Sequence, residues 1–152
     1  MSYFLITHDD SQISPKLLSQ IADIESRVFN DPWDKRAILD SLASFGAGVG
    51  ICLKDEIIIG YCICQVVFET AEVLRIATRP AYQGQGVAVS LLDELQHFVK
   101  DKGGERILLE VRADNTPAIA LYQKVGFGQI DKRVGYYGGG IDALILQLIL
   151  LN

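Results

Sequence analysis

The chain has 152 residues, of which 49% are hydrophobic and 22% are charged, and its net charge at pH 7 is −5. This length predicts a single domain over residues 1–152, and the composition excludes wholesale disorder. The negative charge disfavours direct nucleic-acid binding, because phosphate backbones are bound by clustered Lys and Arg. The apolar runs are short and no basic leader precedes the first one, so we expect no membrane contact and a cytoplasmic location.

The first half of the chain mixes the two hydrophobic periods that distinguish strands from helices. A strand over residues 3–7 is followed by a polar connection over residues 9–14. Helical spacing of apolar residues then predicts one helix between Leu17 and Val28 and a short second helix after Pro32 that includes Trp33. Three β-rich runs follow, the first two joined as a hairpin: residues 46–53, 57–68 and 71–78.

The second half alternates helices and strands. A helix begins after Gly86 and ends before Gly103, and a strand covers residues 106–112. Asn115 is typical of a helix N-cap and Gly126 of a helix end, so a further helix lies between them. Two closing strands cover residues 127–134 and 142–150. The order β-α-α-β-β-β-α-β-α-β-β predicts an α/β sandwich around a mixed sheet.

The junction between the third β-rich run and the following helix contains two glycines. A helix N-terminus carries unpaired N–H groups and a positive dipole end, and glycine lets a ligand approach the backbone, so such a junction suits a phosphate. An ordinary glycine turn is the alternative. The segment lacks the Lys-Ser/Thr of a Walker A loop and the first glycine of the dinucleotide fingerprint. It reads Gln83-Gly84-Gln85-Gly86-Val87-Ala88-Val89.

Residues 83–88 resemble the Gln/Arg-x-x-Gly-x-Gly/Ala pyrophosphate loop of the GNAT superfamily of N-acetyltransferases. Two further segments are most similar to the ribosomal-protein alanine N-acetyltransferases. Residues 108–115 read Leu-Leu-Glu-Val-Arg-Ala-Asp-Asn, and residues 118–127 read Ala-Ile-Ala-Leu-Tyr-Gln-Lys-Val-Gly-Phe. The resemblance implies a mixed, mostly antiparallel sheet flanked by helices on both faces. It also implies acetyl-CoA as the acyl donor, with no metal.

Two side chains carry the chemistry that the resemblance implies. Glu110 matches the general base that accepts the proton of the attacking amine, and Tyr122 matches the general acid that protonates the departing thiolate. From the residues alone, the alternative for Glu110 is a surface carboxylate paired with Arg112, and the alternative for Tyr122 is a core aromatic with a satisfied hydroxyl.

The remaining site residues are implied in the same way. The backbone of Ile76, Ala77 and Thr78 matches the strand that pairs with the pantetheine arm of the cofactor. Asn115 matches a coenzyme A contact, a role compatible with helix capping. Four aromatic residues match positions near the acceptor groove, although each is also a candidate for the core. They are Phe29, Trp33, Tyr136 and Tyr137.

Three positions depart from the family pattern. Gly84 and Val89 stand where related enzymes often carry a basic residue, so we expect phosphate binding to rest on backbone amides and acetyl-CoA binding to be weaker. Ile141 replaces an acidic residue of protein N-terminal acetyltransferases.

The three cysteines of the chain are expected to be buried free thiols rather than metal ligands. They are Cys52, Cys62 and Cys64.

Three functions remain open from the sequence. The first is acetylation of a protein or peptide N-terminus, with a ribosomal protein as the type substrate. The second is acetylation of a small amine such as a polyamine or an amino-acid derivative, and the third is a catalytically weak acyl-CoA-binding module. The presence of both Glu110 and Tyr122 disfavours the third. The chain is expected to be a monomer or a homodimer.

Overall fold

The computed structural model describes residues 1–7 and 13–150. Its element order confirms the predicted one. Of the predicted polar connection over residues 9–14, positions 9–12 lie outside the described residues. Among the described residues, no helix has both the length and the apolar character needed to cross a bilayer. The elements are β1 (Ser2–Thr7), α1 (Pro15–Val28), α2 (Lys35–Ala43), β2 (Ala47–Lys54), β3 (Ile57–Val67), β4 (Thr70–Thr78), a 3₁₀ turn (Pro80–Tyr82), α3 (Val87–Asp101), β5 (Arg106–Arg112), α4 (Thr116–Val125), β6 (Gly128–Arg133) and β7 (Ala143–Ile149).

The seven strands form one sheet in the order β1-β2-β3-β4-β5-β7-β6. Every neighbouring pair is antiparallel except β4 and β5, which are parallel because α3 crosses between them. The predicted fold class, a mostly antiparallel mixed sheet with helices on both faces, is therefore confirmed.

The inner strand β3 is buried on both faces, because its side chains alternate between the two faces and helices cover both. Tyr61 and Ile63 point into the core beneath α1 and α2, and Cys62 and Cys64 point into the core beneath α3 and α4. All three cysteines are buried and free, as predicted. Both sheet faces thus hold their helices through apolar contacts.

The parallel pair β4–β5 is short. Its register runs only from Thr70 opposite Arg106 to Val73 opposite Leu109. Beyond that point the two strands separate, although β4 continues to Thr78 and β5 to Arg112. The splayed strands open a gap in the middle of the sheet.

The second helix begins later than predicted. The Asp34 side chain accepts a hydrogen bond from the Ala37 N–H at 2.8 Å, and Asp34 itself is extended, so α2 starts at Lys35. The prediction that Trp33 belongs to this helix is wrong. Trp33 lies instead in the connection between α1 and α2.

Candidate active site

Two clefts lie along β4, each of about 420 Å³. The α3 cleft is formed by the end of β4, the glycine loop, the first turn of α3 and one side of α4. The β4–β5 cleft occupies the gap where the two strands separate. The α3 cleft is lined by Thr78, Tyr82, Gln83, Gly84, Gly86, Val87, Ala88, Val89, Ala120, Leu121 and Lys124. The β4–β5 cleft is lined by Phe29, Val73, Leu74, Arg75, Ile76, Leu109, Glu110, Val111, Arg112, Asn115, Tyr122, Tyr136 and Tyr137.

The N-terminus of α3 opens onto the α3 cleft. Gly86 is the N-cap residue in the left-handed conformation, with φ of 84°, and no side chain caps this helix end. The first intrahelical bond is donated by the Ser90 N–H, so the N–H groups of residues 87–89 have no partner within the helix. Gly84 also has a positive φ, of 76°, and a Cβ at either glycine would meet no atom within 4 Å. The glycines therefore serve the backbone conformation and leave the amides open to an anion.

The two glutamines of the loop hold the loop itself. Gln83 donates from Nε2 to the Thr78 carbonyl at 3.1 Å, and Gln85 donates to the Ala81 carbonyl at 3.3 Å. Gln85 does not line the cleft, whereas the predicted loop residues on either side of it do. Its side chain stabilises the turn that precedes α3.

Lys124 is the basic side chain that lines the α3 cleft. It lies on α4 and shares the cleft with Gly84 and Val89, the two positions at which the resemblance implies a basic residue. Lys124 was not among the predicted site residues. Its placement depends on the packing of α4 beside α3, which the sequence pattern does not specify.

Glu110 lines the β4–β5 cleft from β5. Its side chain is 31% exposed, and its carboxylate lies 3.8 Å from the Arg133 guanidinium and 3.4 Å from the Tyr137 hydroxyl. Arg112 pairs with Asp114 at 3.0 Å instead, so the alternative of a Glu110–Arg112 pair is wrong. The carboxylate is thus held at the gap by contacts from the β6–β7 hairpin.

Tyr122 reaches the same cleft from α4, on the other side of the sheet. It is 9% exposed and packs edge-on against Phe127, with ring centroids 5.9 Å apart. Its hydroxyl has no hydrogen-bond partner among the described residues. Every side-chain oxygen and nitrogen that is buried in the described part of the chain does have a partner, so the Tyr122 hydroxyl must be accessible from the cleft. Burial, with a smaller contribution from Cys62, raises the pKa of Tyr122 to about 12, so this phenol stays protonated at neutral pH.

The loop between β6 and β7 places two tyrosines beside Glu110. Tyr136 and Tyr137 stack edge-to-face with centroids 5.2 Å apart, and the Tyr137 N–H donates to the Ile141 carbonyl at 3.1 Å. Burial, followed by the charge of Glu110, raises the pKa of Tyr137. Although the loop is rich in glycine, backbone hydrogen bonds close it into a turn.

The other predicted residues divide between the clefts and the core. Ile76 and Asn115 line the β4–β5 cleft, and Asn115 also accepts the Ala118 N–H at 3.3 Å as the α4 cap. The side chain of Ala77 is buried in the core beneath α1 and α2. Phe29 lines the β4–β5 cleft, but Trp33 does not. No group of three or more potential metal ligands occurs in the part of the chain that the structure describes.

Residues 18–127 match the family model described as the acetyltransferase (GNAT) family. A [ribosomal protein bS18]-alanine N-acetyltransferase from Haemophilus influenzae is 33% identical over 144 residues, which is 92% of this chain and 97% of that protein. The crystal structure of the ribosomal-protein-S18-alanine N-acetyltransferase from Escherichia coli superposes with a TM-score of 0.86 at 28% identity, covering 99% of this chain and 96% of that one. An aminoglycoside 6'-N-acetyltransferase complexed with coenzyme A shares the fold, with a TM-score of 0.85 at 12% identity over 100% of this chain and 98% of that one.

The chain belongs to the GNAT family of acetyltransferases. It is an acetyl-CoA-dependent N-acetyltransferase, similar to the enzymes that acetylate the alanine of ribosomal protein bS18.

Proposed function

We propose that this enzyme transfers the acetyl group of acetyl-CoA to the N-terminal α-amine of a protein, with a ribosomal protein of the bS18 type as the acceptor. Glu110 is the general base and Tyr122 the general acid of a direct attack. One observation carries this proposal. A carboxylate from one face of the sheet and a protonated phenol from the other line the same gap between β4 and β5.

The cofactor fits across both clefts. Its pyrophosphate lies against the free amides at the α3 N-terminus, and Lys124 adds a positive charge on the opposite wall. Beyond Val73 the edge of β4 that faces β5 has no partner strand, so its peptide groups are open to the pantetheine arm and the thioester carbonyl. Asn115 lines the same gap, which supports its assignment as a cofactor contact.

Each proton and bond of the transfer is then accounted for. The neutral amine nitrogen attacks the thioester carbon, forming the C–N bond, and its proton passes to the Glu110 carboxylate directly or through a water. The carbonyl oxygen takes up negative charge, which a β4 backbone N–H stabilises. As the tetrahedral species collapses, the C–S bond breaks and Tyr122 donates its proton to the thiolate. Proton return from Glu110 through solvent restores both groups.

The acceptor assignment is supported by the aromatic wall of the β4–β5 cleft and by the relatives. Phe29, Tyr136 and Tyr137 all line this cleft and offer aromatic surface to the first residue of an extended peptide. Relatives that match over nearly their whole length are named as protein alanine acetyltransferases. A small amine would use the same chemistry with fewer contacts to this wall.

The test is acetyl-CoA-dependent thiol release with three acceptor sets. The first set is short peptides that begin with alanine, the second the same peptides with blocked N-termini, and the third a panel of polyamines and amino-acid amides. Turnover with the free peptides that is lost on blocking supports the proposal. Turnover confined to the small amines contradicts the protein acceptor, and binding of acetyl-CoA without turnover on any set favours the acyl-CoA-binding module over the proposed enzyme.

A further inference from the structure

A buried acid lies beneath the acceptor side of the site. Glu25, on α1, is fully buried and is the one charged side chain buried among the described residues. Its carboxylate accepts hydrogen bonds from the Tyr61 hydroxyl on β3, from the Trp33 N–H at 2.8 Å and from the Arg75 guanidinium at 2.9 Å. A buried carboxylate needs such partners, because removal of a charge from water without them is very unfavourable.

The Arg75 side chain connects this acid to the β4–β5 cleft. Its Nε and Nη2 donate to Glu25, and Nη2 also donates to the Asp31 carbonyl at 3.0 Å. The guanidinium lies 3.8 Å from the Phe29 ring centroid and 4.9 Å from that of Trp33. It is 20% exposed and lines the cleft together with Phe29. A single side chain therefore contacts the α1–α2 connection at three places and forms part of the cleft wall.

Stability alone does not account for an ion pair at this position. Replacing a buried ion pair with apolar residues is often neutral or stabilising, so the pair is weak evidence for stability. A second ion pair already joins α1 to the end of β4, because the Arg79 guanidinium lies 2.6 Å from Asp23. That pair lies outside the β4–β5 cleft. What Glu25 and Arg75 add is a set of contacts to residues 29, 31 and 33 and a neutralised cation on the cleft wall.

We propose that Glu25 and Arg75 are positioning residues for the acceptor. They order the α1–α2 connection so that Phe29 forms the acceptor wall, and Glu25 cancels the charge of Arg75 so that a cationic amine is not repelled from the cleft. This inference rests on the proposed function of the β4–β5 cleft as the acceptor site. Neither residue touches the reacting atoms, so their effect falls on acceptor binding.

The experiment compares four variants with the wild type. They are E25Q, which leaves Arg75 without its counter-charge, R75Q, the double variant E25Q/R75Q, and D23N as the matched control that breaks the neighbouring α1–β4 pair. Because E25Q or R75Q leaves one uncompensated charge and can prevent folding, the double variant, which removes both charges, decides the question. The KM values for acceptor and for acetyl-CoA are measured separately, at low and high salt, with the amine that the wild type uses best.

A second readout needs no turnover. Trp33 is the only tryptophan of the chain, and its backbone bonds to Glu25, so quenching of its fluorescence by acrylamide reports directly on the order of the connection. We expect the double variant to raise the acceptor KM by about tenfold and to change the acetyl-CoA KM by less than about twofold. We also expect more quenching than in the wild type. E25Q should raise the acceptor KM further at low salt than at high salt, because the uncompensated cation repels the amine.

Unchanged acceptor KM and unchanged Trp33 quenching in the double variant would overturn the inference. Equal losses for both substrates, shared by D23N, would overturn it too, because they would indicate a general structural role. Failure of the proposed acceptor is recognised separately. In that case the wild type acetylates no peptide, while the quenching comparison and the KM for a small amine still decide the role of Glu25 and Arg75.

Discussion

The Tyr122→Phe variant removes one oxygen atom from the β4–β5 cleft and leaves the aromatic packing in place. The hydroxyl has no hydrogen-bond partner among the described residues, so its removal breaks no protein contact there. We therefore expect the free energy of unfolding to change by no more than about 0.5 kcal/mol. A large loss of turnover in Tyr122→Phe would therefore come from the chemical step and not from unfolding.

The size of that loss follows from the pKa of the phenol. General acid catalysis contributes about 10²- to 10⁴-fold, or about 3–5 kcal/mol of barrier. The pKa of Tyr122, raised by burial to about 12, lies above the ordinary value of about 8.5 for a thiol. Full proton transfer to the thiolate is therefore uphill, and much of the benefit comes from a hydrogen bond to the developing charge. We place the loss in kcat at the lower end, about 100-fold.

The assay is thiol release at saturating acetyl-CoA, together with thermal unfolding of the same samples. Tyr3→Phe is the matched control, because Tyr3 also packs against the core beneath α3 but lies outside both clefts. The deficit of the Tyr122 variant should stay constant from about pH 7 to about pH 10, since the wild-type phenol remains protonated throughout. A kcat within about threefold of the wild type would refute the acid role and leave Tyr122 as a core aromatic.

Three further outcomes follow from the site and the core. Glu110→Gln should lower kcat by at least about 100-fold with little change in the acetyl-CoA KM. The difference in kcat from the wild type should become smaller at alkaline pH, because more of the amine is then neutral without a base. A difference that stays constant across the pH–rate profile would contradict the base role. Lys124→Gln should raise the acetyl-CoA KM about fivefold and weaken its salt dependence, whereas Lys100→Gln on the exposed end of α3 should do neither, as titrations at two ionic strengths would show. Burial raises the pKa of Cys64 from 9.0 to about 12, so the stability that the neutral thiol contributes is full below pH 9 and is lost as pH rises toward 12. Urea unfolding at about pH 8 and about pH 10.5 should therefore show a smaller decrease in the free energy of unfolding for Cys64→Ala than for the wild type.

The fold was predictable because local signals agreed with the tertiary arrangement. Helical spacing, the Asn115 cap and the Gly126 stop gave α4, and alternating apolar residues gave the strands. The start of α2 was missed because the aromatic Trp33 fits the apolar pattern, whereas the capping bond of Asp34 decides where the helix begins. Hydrophobic period alone does not distinguish these positions.

The site was predictable only where a motif marks it. The glycine loop, Glu110 and Tyr122 follow from the resemblance, but the partner of Glu110 does not. The strand order places β6 beyond β7, which brings Arg133 rather than Arg112 to its carboxylate. The sequence does contain a signal for Glu25, which lies four residues after Ile21 and so falls on the buried face of α1. Its partner Arg75 is 50 residues away, a pairing that no local pattern contains.

The most direct test of acetyl transfer in the β4–β5 cleft is to locate the acetyl group on a peptide that offers two amines. The peptide begins with alanine and contains one internal lysine, and the product with acetyl-CoA is sequenced by mass spectrometry. We predict acetylation of the α-amine alone, slowed by Glu110→Gln and by Tyr122→Phe. Acetylation of the lysine side chain, or α-amine acetylation that proceeds at the wild-type rate in both variants, would contradict the proposed acceptor or the proposed chemistry respectively.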